Sequence, residues 1–336
     1  MKLAIHHRKG SFSDRWIAYC ERNHILFKLV NAYENDIIDQ VEECDIFLWH
    51  FNHLNSKDNL LAKELLFSLE QSGKIVFPAF NEGWHFDDKL GQKYLLEAIK
   101  APVVPSYVFY SKEEAFKWIE KTDFPKVFKL RGGAGSVNVK LAKSKKHAKV
   151  LINKAFHKGF KYYDALGSLK ERIRKYRNKK TDSKDVFKGF LRLFKEPDFS
   201  KFKGREIGYI YFQDFIPNNT YDIRVVVIGS KAFGLKRFVR DNDFRASGSG
   251  RMSFGKTDID ERCVDISFST MKKLNAQCLA FDFVFDINNN PLIVEISFGF
   301  AVEAYDACLG YWDEHLNWYE NKFNPQEWII EELLKN

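Results

Sequence analysis

AFDFVFDINNNPLIVEIS, residues 280–297, sets two acidic side chains, Asp282 and Glu295, inside otherwise apolar strands. The Asn288-Asn289-Asn290 run between them reads as a tight turn. Adjacent antiparallel strands joined by such a turn bring the two carboxylates, thirteen residues apart, side by side. Taking a carboxylate out of water costs several kcal/mol unless something compensates it, so the pair needs an explanation. Either both residues face solvent from a half-exposed sheet, or they hold a hard cation such as Mg²⁺, which takes carboxylate oxygens and, very often, nucleotide phosphates as well.

A place for phosphates is then sought upstream, and PKVFKLRGGAGSVNVKL (residues 125–141) offers one. Lys129 stands before Gly132, Gly133 and Gly135, whereas a Walker loop needs its lysine after the last glycine. A protein-kinase glycine loop also precedes its strand lysine, and no glycine at 138 completes a dinucleotide fingerprint. Taken alone, the stretch fits a simple hairpin turn, since glycine supplies positive φ cheaply. Flanked by strands on both sides, the same turn can aim backbone amides at an anion.

A chain of 336 residues buries a sizeable core and divides into two or three subdomains. With 32 Phe, 14 Tyr and 7 Trp, extensive disorder is not expected. Five well-separated cysteines without a C-x-x-C pair fit buried thiols in a reducing compartment. The start, MKLAIHHRKGS, has no long apolar region, and no stretch approaches the length of a membrane span, so a cytoplasmic protein is expected. The net charge of +8 is local: residues 159–205 hold fifteen Lys or Arg against six Asp or Glu, and the remainder is nearly neutral. A globally basic, nucleic-acid-binding surface is therefore not indicated. The basic insert, 157–205, reads either as a solvated helical face or as a docking surface for an acidic macromolecular substrate.

The pattern along the chain is α/β (α+β). Lys2–His6, Leu26–Val30, Asp45–His50 and Ile75–Phe77 read as strands, alternating with helices at 14–22, opened by Ser13, and at 57–71, which ends at Gly73. This predicts a parallel βαβ domain over residues 1–85. A second region, 86–215, carries a helix stopped by Pro102 and Pro105, a helix capped by Ser111, the glycine hairpin, and the basic helical insert. The third, 216–336, is strand-rich; with the run 209–215 it reads as one sheet, followed by an aromatic tail that packs a helix on the core.

The order of Asp88-Lys89, Lys129 with GGAGSV, Gln213-Asp214-Phe215-Ile216, Asp222-Ile223-Arg224, Phe244-Arg245-Ala246-Ser247, Asp282 and Glu295-Ile296-Ser297 resembles the ATP-grasp superfamily, nearest to its RimK-like and glutathione-synthetase-like carboxylate–amine ligases. The resemblance spans roughly residues 85–300 and implies a parallel N-terminal domain followed by an ATP-grasp fold with a mobile lid. It implies that Lys129, and more weakly Lys89, contact the nucleotide, and that Gly132, Gly133, Gly135 and Ser136 close over its phosphates. Asp214 and Phe215 would lie at the adenine hinge, and Asp222 near the nucleotide. Arg245, with Ala246 and Ser247, would lie near the transferring phosphate, Arg237 and Arg224 being the next catalytic candidates. Asp282, Glu295 and Ser297 would form the metal site for two Mg²⁺ ions, Mn²⁺ being a possible substitute. Ser247 and Ser297 depart from the family pattern, which has asparagine at both places.

The implied activity is amide or peptide bond formation through an acyl phosphate, from ATP, an amine acceptor, and a small-molecule, peptide or sugar-acid carboxylate, as in peptide or surface-polysaccharide tailoring. A phosphotransferase acting on a hydroxyl, or a catalytically weak nucleotide-binding protein, is the alternative, and a homo-oligomer is compatible with either. Among weaker candidates, His6, His7, Arg8, His50 and His53 follow strand ends where α/β sheets commonly bind ligands, and Tyr311 and Trp312 are candidates for an acceptor pocket.

Overall fold

The computed structural model describes residues 1–132, 138–177, 181–194, 198–240, 244–246 and 249–335. The chain forms two compact units. One comprises Met1–Phe86, Leu95–Val103 and Asn218–Asn336; the other comprises Asp87–Tyr94 and Val104–Pro217.

The first unit begins with β1 (Leu3–His6), β2 (Phe27–Val30), β3 (Ile46–Leu48) and β4 (Ile75–Phe77), a parallel sheet in the order β2-β1-β3-β4. Helices α1 (Phe12–Arg22), α2 (Ile37–Gln40), α3 (Ser56–Gln71) and α4 (Phe80–Gly83) connect and follow these strands. The first helix is capped two residues earlier than expected. Ser11 is extended and its hydroxyl accepts from Ser13 N–H, whereas Ser13 Oγ receives the amide of Arg8 at 3.1 Å. Phe12 is thereby carried into the first turn and fully buried.

Helix α5 (Lys89–Ala98) runs from the second unit into the first. The second unit continues with β5 (Ser106–Phe109), α6 (Lys112–Ile119), β6 (Lys126–Lys129), β7 (Lys140–Ala142), α7 (Lys145–His157) and β8 (Phe160–Lys161). After these come α8 (Ala165–Arg177), α9 (Ser183–Phe194), α10 (Asp198–Lys203), β9 (Arg205–Glu206) and β10 (Ile210–Asp214). The expected hairpin is present: β6 and β7 pair antiparallel, Phe128 opposite Lys140. Strand β10, expected within the sheet of the second half, instead lies between β5 and β6. Its alternation explains the exchange, because Ile210 and Phe212 complete an apolar cluster with Phe128, Leu151 and Ile152.

The first unit resumes with β11 (Tyr221–Ile228), β12 (Lys231–Phe238), β13 (Met252–Ser253), α11 (Glu261–Leu274), β14 (Cys278–Phe285) and β15 (Pro291–Ser297). It ends with β16 (Tyr311–Asp313), β17 (Trp318–Tyr319) and α12 (Pro325–Leu333). The sheet order is β15-β14-β11-β12-β16-β17, with β13 beside β12. On one face Ile223, Val225, Phe281 and Phe283 pack with Val264 and Met271 of α11. On the other, Val226, Phe233 and Ala280 join the core of the N-terminal strands and Ile330 of α12. The tail contributes the expected helix and also a hairpin. Trp312 is buried and its Nε1–H donates to Glu261 at 3.3 Å, and Tyr311 packs on Trp328 at 4.9 Å. Trp312 is therefore part of the core, and Tyr311 is half-buried against it.

Two buried features tie the first unit together. All five cysteines are free and buried; burial pushes their thiols up, Cys20 to about 11 and Cys308 to about 12. Glu82, fully buried after β4, accepts the amides of Gln277 and Cys278 on Oε2 at 2.7 and 2.9 Å, pinning the start of β14 to the N-terminal sheet. Its Oε1 has no partner among the described residues, and desolvation outweighs the amide bonds, raising the carboxyl to about 8. A group held protonated in the fold favours folding below its unfolded value near ~4.3, and that contribution is lost as pH rises through the folded value. We therefore expect Glu82→Gln to flatten the fall in stability between about pH 4.5 and 8, as read by urea denaturation across pH.

Candidate active site

Strand pairing gathers five charged residues on one face of the long sheet. Glu295 lies opposite Asp282, Asp282 opposite Arg224, and Asp222 opposite Arg237. Residues paired across antiparallel strands share a face, as do residues two apart on one strand, so all five project to the same side. That face is apolar at one end, with Val226, Ile228, Cys278 and Ala280, and charged at the other.

The pairing of Glu295 depends on a bulge. Ile296 pairs with Phe281 and Glu295 with Asp282, but Ile293 is next, opposite Phe283, which leaves Val294 as the extra residue. Strict alternation would put Ile293 and Glu295 on the same face. The bulge sends Ile293 into the core with Ile296 and turns Glu295 toward Asp282.

The cluster is electrostatically matched. Arg224 grips Asp282 with both ends of its fork, Nε to Oδ1 at 2.5 Å and Nη2 to Oδ2 at 2.9 Å. Arg237 grips Asp222 in the same way at 2.6 and 2.8 Å, and its Nη2 also reaches Asp282 Oδ1 at 3.0 Å. Burial works to raise the Asp282 carboxyl, but the two guanidiniums outweigh it and hold the group at about 2. Asp222 has one arginine and a neighbouring carboxylate, so burial wins there and its carboxyl is raised. Tyr305, buried beside Arg224, completes the wall; the position of this aromatic gave no signal in the sequence. Ser297 Oγ is used locally, donating to Gly299 O at 2.8 Å and accepting from Gly299 N–H at 3.1 Å.

Arg245 and Ala246 lie outside this row. Arg245 O accepts from Arg240 N–H at 3.2 Å and its guanidinium stands over the Phe244 ring at 6.0 Å, while Ala246 is buried and its carbonyl receives Ser249 N–H. Ser247, Gly133, Gly135 and Ser136 fall outside the described residues.

In the second unit the lysines of β6 serve opposite faces. Lys129, buried, donates from Nζ to Gln213 Oε1 at 2.6 Å, and Gln213 is oriented in turn by Ser106 at 3.2 Å. Lys126 pairs with Asp214 at 2.6 Å among the rings of Tyr107 and Trp118. Asp214 is thus on the other face from Lys129, with Phe215 half-buried immediately after it. Lys126 and Gln213 were not among the expected site residues, although each is a polar residue inside an apolar run. Lys89 is buried, and its amide donates to Arg131 O at 2.8 Å. Asp88 receives the Arg131 fork at 2.9 and 2.5 Å. Gly132 has no room for a side chain: a Cβ would lie 2.8 Å from the Tyr162 ring, whose hydroxyl bonds Asp87 at 2.6 Å.

The histidines after the N-terminal strands have structural partners. His6 Nδ1 accepts from Ala32 N–H at 3.0 Å, His7 Nδ1 lies 3.0 Å from Ser13 Oγ, and the ring of His53 packs against Phe86. His50 accepts from Phe12 N–H at 3.2 Å and stacks on the Phe12 ring; desolvation, with Arg8 and His53 adding to it, lowers its imidazole to about 3.

Comparison with known proteins bears on the fold. Residues 203–310, which contain Asp222, Arg224, Arg237, Arg245, Asp282 and Glu295, match the RimK-like ATP-grasp domain. A RimK domain ATP-grasp protein from Sphaerobacter thermophilus aligns over 88% of this chain and 90% of its own at 14% identity, TM-score 0.53. D-alanine–D-alanine ligase from Bacillus anthracis, complexed with ATP, aligns over 91% of each chain at 13% identity, TM-score 0.55. The biotin carboxylase domain of Hydrogenobacter thermophilus 2-oxoglutarate carboxylase, crystallised with MgADP, aligns over 100% of this chain and 70% of its own at 13% identity, TM-score 0.57. No curated protein matches the sequence. The fold is the ATP-grasp fold behind a parallel N-terminal sheet, and its domain model is the RimK-like one.

Asp282→Ala should cost on the order of 3 kcal/mol, since it takes from two buried guanidiniums the carboxylate they share; urea denaturation measures it. The folded Asp282 value, near 2, lies below the unfolded value of about 3.9, so its contribution is present above that pH and lost as pH falls toward 2. Asp282→Ala should accordingly remove part of the acid-limb slope.

Proposed function

We propose that the chain is an ATP-dependent carboxylate–amine ligase. The observation that carries the reading is the row Glu295, Asp282 and Arg224, with Asp222 and Arg237 beside it, inside the region that matches the RimK-like domain. In this chemistry the γ-phosphoryl of ATP passes to a substrate carboxylate oxygen, giving an acyl phosphate and ADP. An amine then attacks the carbonyl carbon: the C–N bond forms, the C–O bond to phosphate breaks, and the amine gives up its proton to solvent.

The fold family implies magnesium, and the donor set fits it. Asp282 and Glu295 are adjacent carboxylates, and hard cations take such oxygens together with nucleotide phosphates. Asp282 retains about one lone-pair site, on Oδ2, beyond the three engaged by arginine. Bound there, magnesium supplies charge neutralisation on phosphate oxygens. We assign a pair of ions to the site, with Mn²⁺ as an alternative. Arg224 and Arg237 hold Asp282 ionised and fixed in direction. Lys129, positioned by Gln213, offers an ammonium to phosphate, and Arg245 is assigned to the transferring group. Lys89, Asp214, Phe215 and Asp222 are assigned to the nucleotide, as is the loop at Gly132.

A second reading, a nucleotide-binding protein with weak turnover, draws on Ser297. Its hydroxyl is committed to Gly299, and among the described residues no group of three or more His, Cys, Asp or Glu gathers as a metal site. The carboxylate acceptor is assigned to a small acid, a peptide or a sugar acid, the first of these supported by the likeness to D-alanine–D-alanine ligase.

Incubation with Mg-ATP, hydroxylamine and pooled carboxylic acids tests both readings. The ligase yields a hydroxamate and ADP, and Glu295→Ala lowers the rate by about 100-fold or more. ATP binding without hydroxamate or ADP supports the weak-turnover reading, and ADP without hydroxamate supports transfer to a hydroxyl.

A further inference from the structure

Helix α9 is turned inside out relative to a soluble helix. Phe187, Phe190, Leu191 and Phe194 recur at the spacing of one helical face, and that face is exposed, from 48% at Phe190 to 80% at Phe194. The opposite side carries Gly189, the buried residue of the helix. A Cβ there would fall 2.5 Å from Arg172 Cδ and 3.2 Å from Leu169 of α8, so glycine lets the two helices approach closely. Arg172 also pairs with Asp185, locking the contact from the polar side. Gly189 and the Arg172–Asp185 pair thus lie on the side turned to α8, and the phenylalanines are exposed.

The charge around the stripe indicates its occupant. Lys184, Lys188 and Arg192, four residues apart, are exposed along one flank. A phenylalanine-rich face bordered by lysine and arginine suits the boundary of an anionic bilayer, where rings enter the acyl region and cations meet headgroup phosphates. No described helix is long and apolar enough to cross a membrane, so the attachment is peripheral.

We propose that the exposed phenylalanine face of α9, with the Lys184, Lys188 and Arg192 flank of the same helix, docks on an anionic lipid surface. The docking is independent of the ligase chemistry. The test is co-sedimentation of the full chain with vesicles of phosphatidylcholine alone and of an equimolar phosphatidylcholine–phosphatidylglycerol mixture. The wild type should sediment with the anionic vesicles only, and less so at high salt. Phe187→Ser/Phe190→Ser/Phe194→Ser and, separately, Lys184→Glu/Lys188→Glu/Arg192→Glu should each weaken binding by roughly tenfold or more while circular dichroism stays unchanged. Should a triple variant fail to fold, Phe190→Trp decides: its emission less that of the wild type, which carries seven tryptophans, should shift to the blue with anionic vesicles and not with neutral ones.

Failure of the wild type to bind, equal binding to neutral vesicles, or binding untouched by both triple variants would overturn the proposal. So would a wild-type dimer dissolved by the phenylalanine substitutions in the absence of vesicle binding, which would assign the stripe to a second copy. Binding to a soluble polyanion but not to vesicles would assign it to an acidic polymer.

Discussion

Asp282 is the constraint around which the charged end of the long sheet is organised. A carboxylate in the middle of a strand is tolerable only with strong compensation, and two arginines supply it, Arg224 from the neighbouring β11 and Arg237 from β12 beyond it. Arg224 and Arg237 in turn need acids of their own, so Asp222 is drawn in and the face closes as an alternating set of charges. Register is held as firmly by this lattice as by the hydrophobic alternation behind it, because a slip of one residue would put each charge into the apolar layer against α11.

Much of this was legible in the chain. Asp282 and Glu295 stood out because acids are rare inside apolar runs, and the asparagine turn implied their pairing, which the register confirms. The partners were harder to read. Arg224 and Arg237 could be recognised as charged residues on strands, but their forks on Asp282 depend on strands far apart in the chain. Strand β10 was misplaced because a short apolar run reads alike in any sheet, and only the neighbours available in space decide which sheet takes it. Ser11 and Ser13 both suit a helix cap by residue type, and the structure uses Ser11, with Phe12 buried in the first turn.

The second unit shows the opposite economy. Its short antiparallel sheet carries two buried lysines on one strand, each held by a polar residue of β10, one on either face. Lys126 fastens the strand to the aromatic layer of Trp118 and Tyr107, so its ammonium is spent on structure. Lys129 donates to the amide oxygen of Gln213 on the other face. The same strand thus sets two buried cations on opposite faces of its sheet.

The burial of all five thiols has a practical meaning. A thiol that is both inaccessible and shifted far above neutrality reacts slowly with maleimides or iodoacetamides. The native chain can therefore serve directly as a silent background for site-directed labelling. A single cysteine placed at a surface position in either unit would carry a fluorophore or spin label without first removing the others, and motion between the units could be followed in an otherwise unaltered protein.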